Sequence, residues 1–523
     1  MRLITLLLLA VVGAGEAGAC LLTESTRLTH PTSWCGVSPT FSSALEITDD
    51  SPEELTDNFP FLASPMTRTT PDQLTFAYWV ETSGGAAHGR VRHRNLNTVS
   101  GVLDSNSTDT WGTALTEDDS GHQRPSVASD RFSNLLVMMR TTDLTDCFTD
   151  PTRRNAACIR AGATSLSNSW LPSRLAQTLT TSDGIYDITV VEDRPTGCTY
   201  VMAEATNNAS WSWGGEGAPS GLHRAFWRIC GSLSSVGSYD GPYAVMDAAT
   251  GVVPTDTASF DFCGAGNIFN KGRLLLGVDR STLHMLWTRD NTFFVCDIPG
   301  TDARYVNCAP NCASGPNQLV EWQADLYYAF SRDQGRTWCN LSGATCTASV
   351  TTKISDSNTA YRVYQGEIRP NTEYQWDIGP SNDLYILLME HDGDSTDLIS
   401  GRPDWGLSPT PGANLRILRL RPGGSAATYP VFASSSIITR HTVLTGGYGE
   451  LVVIGEQPLD YRRSLDHGST FTPPSTLPGS GGTDNRAAYY RDPFHRGLVH
   501  LLYSDSTGPT DGNLFHRSIR LWR

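Results

Sequence analysis

Ser331-Arg332-Asp333-Gln334-Gly335-Arg336-Thr337-Trp338 and, further along, Ser464-Leu465-Asp466-His467-Gly468-Ser469-Thr470-Phe471 share one pattern: hydroxyl, any residue, Asp, any, Gly, any, Thr, aromatic. Each stretch follows an apolar, β-type run. The spacing has a mechanical reading. Asp accepts backbone hydrogen bonds inside a turn, Gly permits positive φ, and the final aromatic folds back under the sheet as a plug. A degenerate trace stands at Ser165 to Trp170. Two full matches at the same point of a repeat are hard to obtain by chance.

The repeat itself is legible outward from these turns. Seven short β-type runs end in a polar residue: Phe76 to Glu81, Leu135 to Arg140, Thr199 to Glu204, Leu283 to Thr288, Tyr385 to Glu390, Leu451 to Glu456 and Val499 to Ser504. A second strand-like segment follows each after a loop: Arg90 to Asn95, Cys158 to Thr164, Ala225 to Gly231, Leu326 to Ser331, Leu415 to Arg421, Tyr461 to Ser464 and Leu514 to Leu521. Before most runs stands another short segment and a turn bearing Asp, as at Asp72, Asp130, Asp193, Asp279 and Asp492. The unit therefore reads strand, Asp-turn, strand, loop, strand. Helical periodicity is nearly absent, and 48 Gly and 29 Pro supply turns. Antiparallel units of roughly 60 to 70 residues predict an all-β propeller of four-stranded blades. The count is seven, with six the alternative. Ala44 to Thr48 is a candidate for the outer strand that closes the ring.

On these motifs the chain resembles the sialidase-like propellers of the Asp-box, or bacterial neuraminidase repeat, family. The resemblance covers residues 61–523, and its specific motif covers two units. It implies that the boxes are structural, lying between third and fourth strands on the face away from the active site. Asp333 and Asp466 are then not catalytic. Residues 1–19 read as an export signal, with Arg2, an apolar run from Leu3 to Val12, and Ala17-Gly18-Ala19 as the cleavage site. Residues 20–60 form an N-terminal segment that could close the ring.

The apolar run is about ten residues, short of the ~20 that cross a bilayer as a helix, and no later stretch approaches that length. Secretion is expected; a lipid anchor through Cys20 is the lesser alternative, since acylating it would leave an odd number of the 12 cysteines. These fall in sequential pairs, Cys20/Cys35, Cys147/Cys158, Cys198/Cys230, Cys263/Cys296, Cys308/Cys312 and Cys339/Cys346, as local staples in an oxidising compartment would. A net charge of -15 argues against nucleic acid or an anionic membrane as partner. With Lys271 and Lys353 the only lysines, the positive charge is nearly all guanidinium, suited to carboxylates and sugar faces.

With the boxes marking one face, the other rim collects Glu81, Arg140, Glu204, Glu390 and Glu456 from strand ends and Arg124, Arg369, Arg440 and Arg486 near the starts of units. The resemblance implies sialidase chemistry: three arginines on a carboxylate, a tyrosine nucleophile helped by glutamate, and an Asp acid/base. Arg124, Arg369 and Arg486 are the candidate clamp, Tyr489 or Tyr490 the nucleophile, and Glu204 or Glu390 its partner. The Arg-Ile-Pro segment that opens the first blade of sialidases has no counterpart here, where Met66-Thr67-Arg68-Thr69 stands. Trp211 and Trp213, flanked by glycine, suit stacking on sugar. Asp392, Asp394 and Asp397 offer three carboxylates for a calcium site, against the simpler reading of a solvated acidic turn. No other cofactor is implied. Asn106, Asn208 and Asn340 begin glycosylation sequons.

Two functions remain open from the sequence. One is a secreted propeller acting on extracellular glycans or glycoproteins, by binding and by exo-glycosidase cleavage; the other is a catalytically inert recognition or scaffold module. Fold alone does not separate them. A monomer is expected in either case.

Overall fold

The structure, a computed structural model, describes residues 39–47, 64–81, 88–104, 110–116, 126–138, 157–160, 170–172, 185–206, 212–213, 216–217, 222–233, 235–246, 268–296, 317–348, 354–355, 358–368, 375–390, 414–433, 441–446, 449–456, 459–477, 487–495, 497–506 and 512–521. Among them there is no α-helix, only single 3-10 turns at Val236–Ser238 and Thr359–Tyr361. No described helix is long and apolar enough to cross a membrane.

All seven expected hairpins are present as antiparallel pairs. The first unit runs Met66–Thr70, Gln73–Glu81, His88–Asn97, with Val102–Leu103 and Thr110–Thr116 outside. The second is Ser126–Ser129, Leu135–Met138, Ala157–Arg160, Trp170–Pro172. The third is Ile185–Asp193, Cys198–Thr206, Leu222–Cys230, Tyr239–Met246. The fourth is Ile268–Leu276, Leu283–Cys296, Asn317–Ser331, with Thr337–Cys339 and Arg362–Ile368 against its third strand. The fifth is Gln375–Ile378, Leu384–Glu390, Asn414–Leu420, Ala426–Ala433, and the sixth is His441–Thr445, Leu451–Glu456, Leu459–Ser464, Ser475–Thr476. The seventh joins Ala487–Arg491, Leu498–Ser506 and Gly512–Arg520 to Thr40–Phe41 and Leu45–Glu46, with Leu45 opposite His516.

The units form a β-propeller. Ile368 pairs with Glu390, which fuses the fourth and fifth units into one ten-stranded sheet. Counted by hydrogen-bonded sheet, the two-stranded ribbon of Ser212–Trp213 and Glu216–Gly217 aside, the propeller has six blades; counted by repeated unit it has seven.

Period-2 alternation explains the core, because successive residues of a strand face opposite neighbours. In Leu384–Glu390, Leu384, Ile386 and Leu388 pack with Tyr328 of the fourth unit, while Tyr385 and Leu387 pack with Val443, Leu451 and Val453 of the sixth. The same division recurs in Leu451–Glu456, where Val452 and Ile454 turn to Val499 and Leu501 of the seventh unit. Leu502, Leu514 and Ala488 then pack on Met66, Phe76 and Tyr78 of the first, which closes the circle. Full burial of each such side chain contributes roughly 1.5–3 kcal/mol.

The two eight-residue turns have one frame. Asp333 Oδ1 accepts from Thr337 N (2.8 Å) and Ser331 Oγ (2.8 Å), and Ser331 Oγ accepts from Gly335 N (2.8 Å). Asp466, Thr470, Ser464 and Gly468 repeat these contacts at 2.8, 2.7 and 2.8 Å. Gly335 has φ +85°, and a Cβ there would lie 2.3 Å from the Phe226 ring, so backbone and space both demand glycine. Trp338 is fully buried between the third and fourth units, edge-on to Phe226 at 5.8 Å. Phe471 packs between the fifth and sixth. Ser331 pairs with Leu283 and Ser464 with Leu451, so both turns lie at the end where first strands turn into second strands. Those ends share one face, since Arg280 reaches Pro493 O (3.5 Å) and Arg194 reaches Thr69 O (3.2 Å).

Two of the sequential cysteine pairs are disulfides, Cys198–Cys230 and Cys339–Cys346; the other pairs involve residues outside the described ones or side chains not described. Asn340, one of the sequon residues, is buried, donates to Ala360 O (3.0 Å) and accepts from Thr345 N (3.2 Å).

Candidate functional site

The first strand of every unit contributes to the wall of a cavity of about 340 Å³ on the ring axis. Aliphatic residues such as Val127, Leu274 and Val443 alternate along it with Glu192, Arg273, Asp377 and Arg491, and Trp376, Tyr489 and Tyr490 add rings. Such a wall offers donors, acceptors and apolar faces together, the mixture a polyhydroxylated ligand requires.

At the turn-side end, side chains reach across the axis instead of round the ring. Glu192 of the third unit accepts from Thr67 Oγ1 of the first (2.5 Å), Ser129 N of the second (2.6 Å) and Tyr490 Oη of the seventh (3.4 Å). Arg194 stands 3.7 Å from its carboxylate, both side chains being 7% exposed. Tyr490 Oη also accepts from Arg68 N (3.0 Å). Arg491 donates from Nε to Asp377 of the fifth unit (2.7 Å), makes a second bond to that carboxylate, and donates to Thr445 O of the sixth (2.8 Å). Asp377 also accepts from Thr445 N (2.7 Å).

Burial sets the electrostatics of these braces. It raises the Glu192 carboxyl above its ordinary value, although Arg194 and the bonds from Thr67, Ser129 and Tyr490 oppose it. Burial, then the charge of Glu192, pushes the Tyr490 phenol well above the usual range. Burial also works against the Asp492 carboxylate, but bonds from His500 and Arg68 and the Arg68 charge outweigh it and hold the group low.

Of the residues singled out in the sequence, Glu390 ends its second strand and Glu204 lies two residues before the end of Cys198–Thr206, pairing with Asn414 and Arg224, at the end opposite the two eight-residue turns. Glu81 and Glu456 end the equivalent strands of their units. Trp213 lies in a two-residue strand paired to Glu216–Gly217. Tyr489 and Tyr490 are adjacent on the first strand of the seventh unit and line the cavity. Arg124, Arg140, Arg369, Arg440, Arg486, Trp211, Asp392, Asp394 and Asp397 lie outside the described residues.

The tyrosine–glutamate contact that the structure does show, Tyr490 with Glu192, joins a pair the sequence reading did not. Arg68, Glu192, Arg194, Asp377 and Arg491 were likewise missed. The one available signal was position beside the Asp-bearing turns, where Glu192 and Arg194 flank Asp193 and Arg491 precedes Asp492. Arg68 is 1% exposed and donates from Nε to Asp492 (2.9 Å).

No protein-family model and no curated protein matches the chain. Among solved structures it is similar to a polysaccharide lyase of family PL25, an ulvan lyase bound to -[GlcA(1-4)Rha3S]-, with 9% identity over 88% of this chain and 93% of that one and a TM-score of 0.55. A protein of unknown function from Dyadobacter fermentans matches with 13% identity over 76% and 94% of the two chains and a TM-score of 0.35. A Trypanosoma rangeli sialidase in complex with 2,3-difluorosialic acid matches with 9% identity over 79% and 56% and a TM-score of 0.35. At these identities the likeness concerns the fold alone.

Proposed function

We propose that the chain is a secreted, sialidase-like propeller that acts on extracellular glycans, holding an anionic terminal sugar in the axial cavity and cleaving it as an exo-glycosidase. The carrying observation is the cavity, walled by all seven first strands and braced across its turn-side end by Glu192, Tyr490, Arg491 and Asp377. A glycan then enters from the opposite rim, the one to which second strands deliver Glu204 and Glu390. Arg124, Arg369 and Arg486 are the proposed carboxylate clamp there. Tyr489 is the better nucleophile of the two tyrosines, because the Tyr490 oxygen is engaged with Arg68 N and Glu192 and burial disfavours its phenolate. The disulfides Cys198–Cys230 and Cys339–Cys346 support an oxidising, extracellular setting. The ulvan lyase shows the same architecture holding a uronate-bearing saccharide.

The test is product release from sialosides, other terminal sugars and uronate-bearing polysaccharides, with and without calcium for the Asp392, Asp394 and Asp397 loop. Arg369→Lys is expected to lower activity by roughly tenfold or more, because lysine keeps the charge and loses the two-pronged geometry. Wild-type protein that releases nothing from the whole panel, yet binds a glycan on an array, would establish the inert recognition module instead.

A further inference from the structure

The seventh sheet is built from two distant parts of the chain, and a buried titratable cluster lies where it meets the first unit. Asp492 Oδ2 receives Arg68 Nε (2.9 Å) from the first unit and His500 Nε2 (3.1 Å) from the second strand of the seventh. His500 Nδ1 lies 3.0 Å from His516 Nε2, with the rings 5.2 Å apart. The His516 ring in turn meets Phe76 of the first unit edge-on at 5.3 Å. His500 is 1% and His516 5% exposed. With both rings neutral the chain of bonds is complete: His500 donates to Asp492, and His516 donates to His500. His516 is also the partner of Leu45 in the closing segment, which is held further by Ile47 N to Leu514 O (2.7 Å) and Ser42 N to Ser518 O (2.9 Å).

We propose that this cluster is an acid-operated latch: protonation of His500 and His516 releases residues 39–47 from Gly512–Arg520 and opens the ring between its seventh and first units. A second proton on the pair would set two imidazolium rings in contact beside the Arg68 guanidinium. The other charged groups facing the cluster do not compensate. Arg94 donates to Ile47 O and pairs with Asp104 at 3.8 Å, and Arg517 is bound to Tyr503 Oη (3.0 Å) and Ser42 O (3.4 Å). His495 lies 3.3 Å from the other Asp492 oxygen, Tyr490 stacks on His500, and Glu46 of the closing segment is exposed. Among the described residues Asp492 is the one carboxylate bonded to the pair, and Arg68 already occupies it.

Burial holds both histidines below their ordinary value, His516 further through the positive charge of His500 and Arg68; the Asp492 bond to His500 opposes this without overcoming it. The sign follows from linkage. Opened, each ring regains a pKa near 6.5, so acid favours opening as pH falls below that value, and the effect is absent above it. At pH 5 the opening equilibrium rises at most ~30-fold per histidine.

Hydrogen–deuterium exchange of the full chain between about pH 5 and 7.5, corrected for the intrinsic pH dependence of exchange, reads this directly. Peptides covering 39–47 and 512–521 should lose protection by tenfold or more at pH 5, while those covering 441–456 change little. His516→Gln keeps a donor toward His500 and removes one titration, so it should shrink the acid effect severalfold, its fold being checked at pH 7.5 by near-ultraviolet circular dichroism. Seam and control peptides that respond to acid together would overturn the latch, as would an undiminished effect in a folded His516→Gln protein. Should that variant not fold, the wild-type comparison of seam with control decides alone.

Discussion

Glu192 shows how one side chain comes to bind four units. Its three donors come from the first, second and seventh units, so the carboxylate replaces its hydration shell with protein groups on the axis. Burial nevertheless wins and raises its pKa. A raised carboxyl gives stability that is complete below its ordinary value near 4.5 and is lost as pH rises through the folded value. Glu192→Gln resembles the protonated form in shape and removes that loss. Urea unfolding from about pH 4 to 7 should therefore show the variant gaining on the wild type as pH rises, by about 1.4 kcal/mol for each unit of the shift. A constant difference across that range would mean that Glu192 ionises in the fold as it does in water. The histidine contributions are common to both proteins and cancel.

At the scale of strands and turns, the two described disulfides each join neighbouring strands, but they close very different lengths of chain. Cys198 and Cys230 are 32 residues apart, Cys339 and Cys346 only 7. Restriction of the unfolded chain predicts roughly 3.5–4 kcal/mol from the first and roughly 2.5 from the second. Paired alanine substitutions should lower the urea midpoint more for Cys198/Cys230; equal losses would point to strain or packing instead of chain entropy. Strands were the most legible part of the sequence, because alternation and turn chemistry are local: Leu451–Glu456 matches its expected run residue for residue. The Asp-bearing turns were legible too, with Asp130, Asp279 and Asp492 each accepting two backbone N–H bonds in their own turns. Contacts across the axis were not. Tyr490 and Glu192 are 298 residues apart, and ring curvature, which no short pattern encodes, decides that they meet. Place in the repeat is what marks rim residues such as Arg369, and the loss of activity expected of Arg369→Lys tests that marking.

The whole molecule is a cycle of units packed by alternating strand faces, and its seventh sheet draws its outer edge from residues 39–47. Gly512–Arg520 runs toward Arg520, which sits opposite Thr40, where the closing segment begins. In register and direction this is a β-hairpin lacking only its connecting turn. A ring of this kind has no privileged starting point. Joining Leu521 to Pro39 through a short turn, and cutting the chain instead between Ala433 and His441, should yield a circular permutant that folds to the same sheets. Its far-ultraviolet dichroism should match the wild type, and its acid sensitivity at residues 39–47 should fall, since that segment would be held by a covalent neighbour. Genes for such a protein could begin at any of several blades and encode the same object.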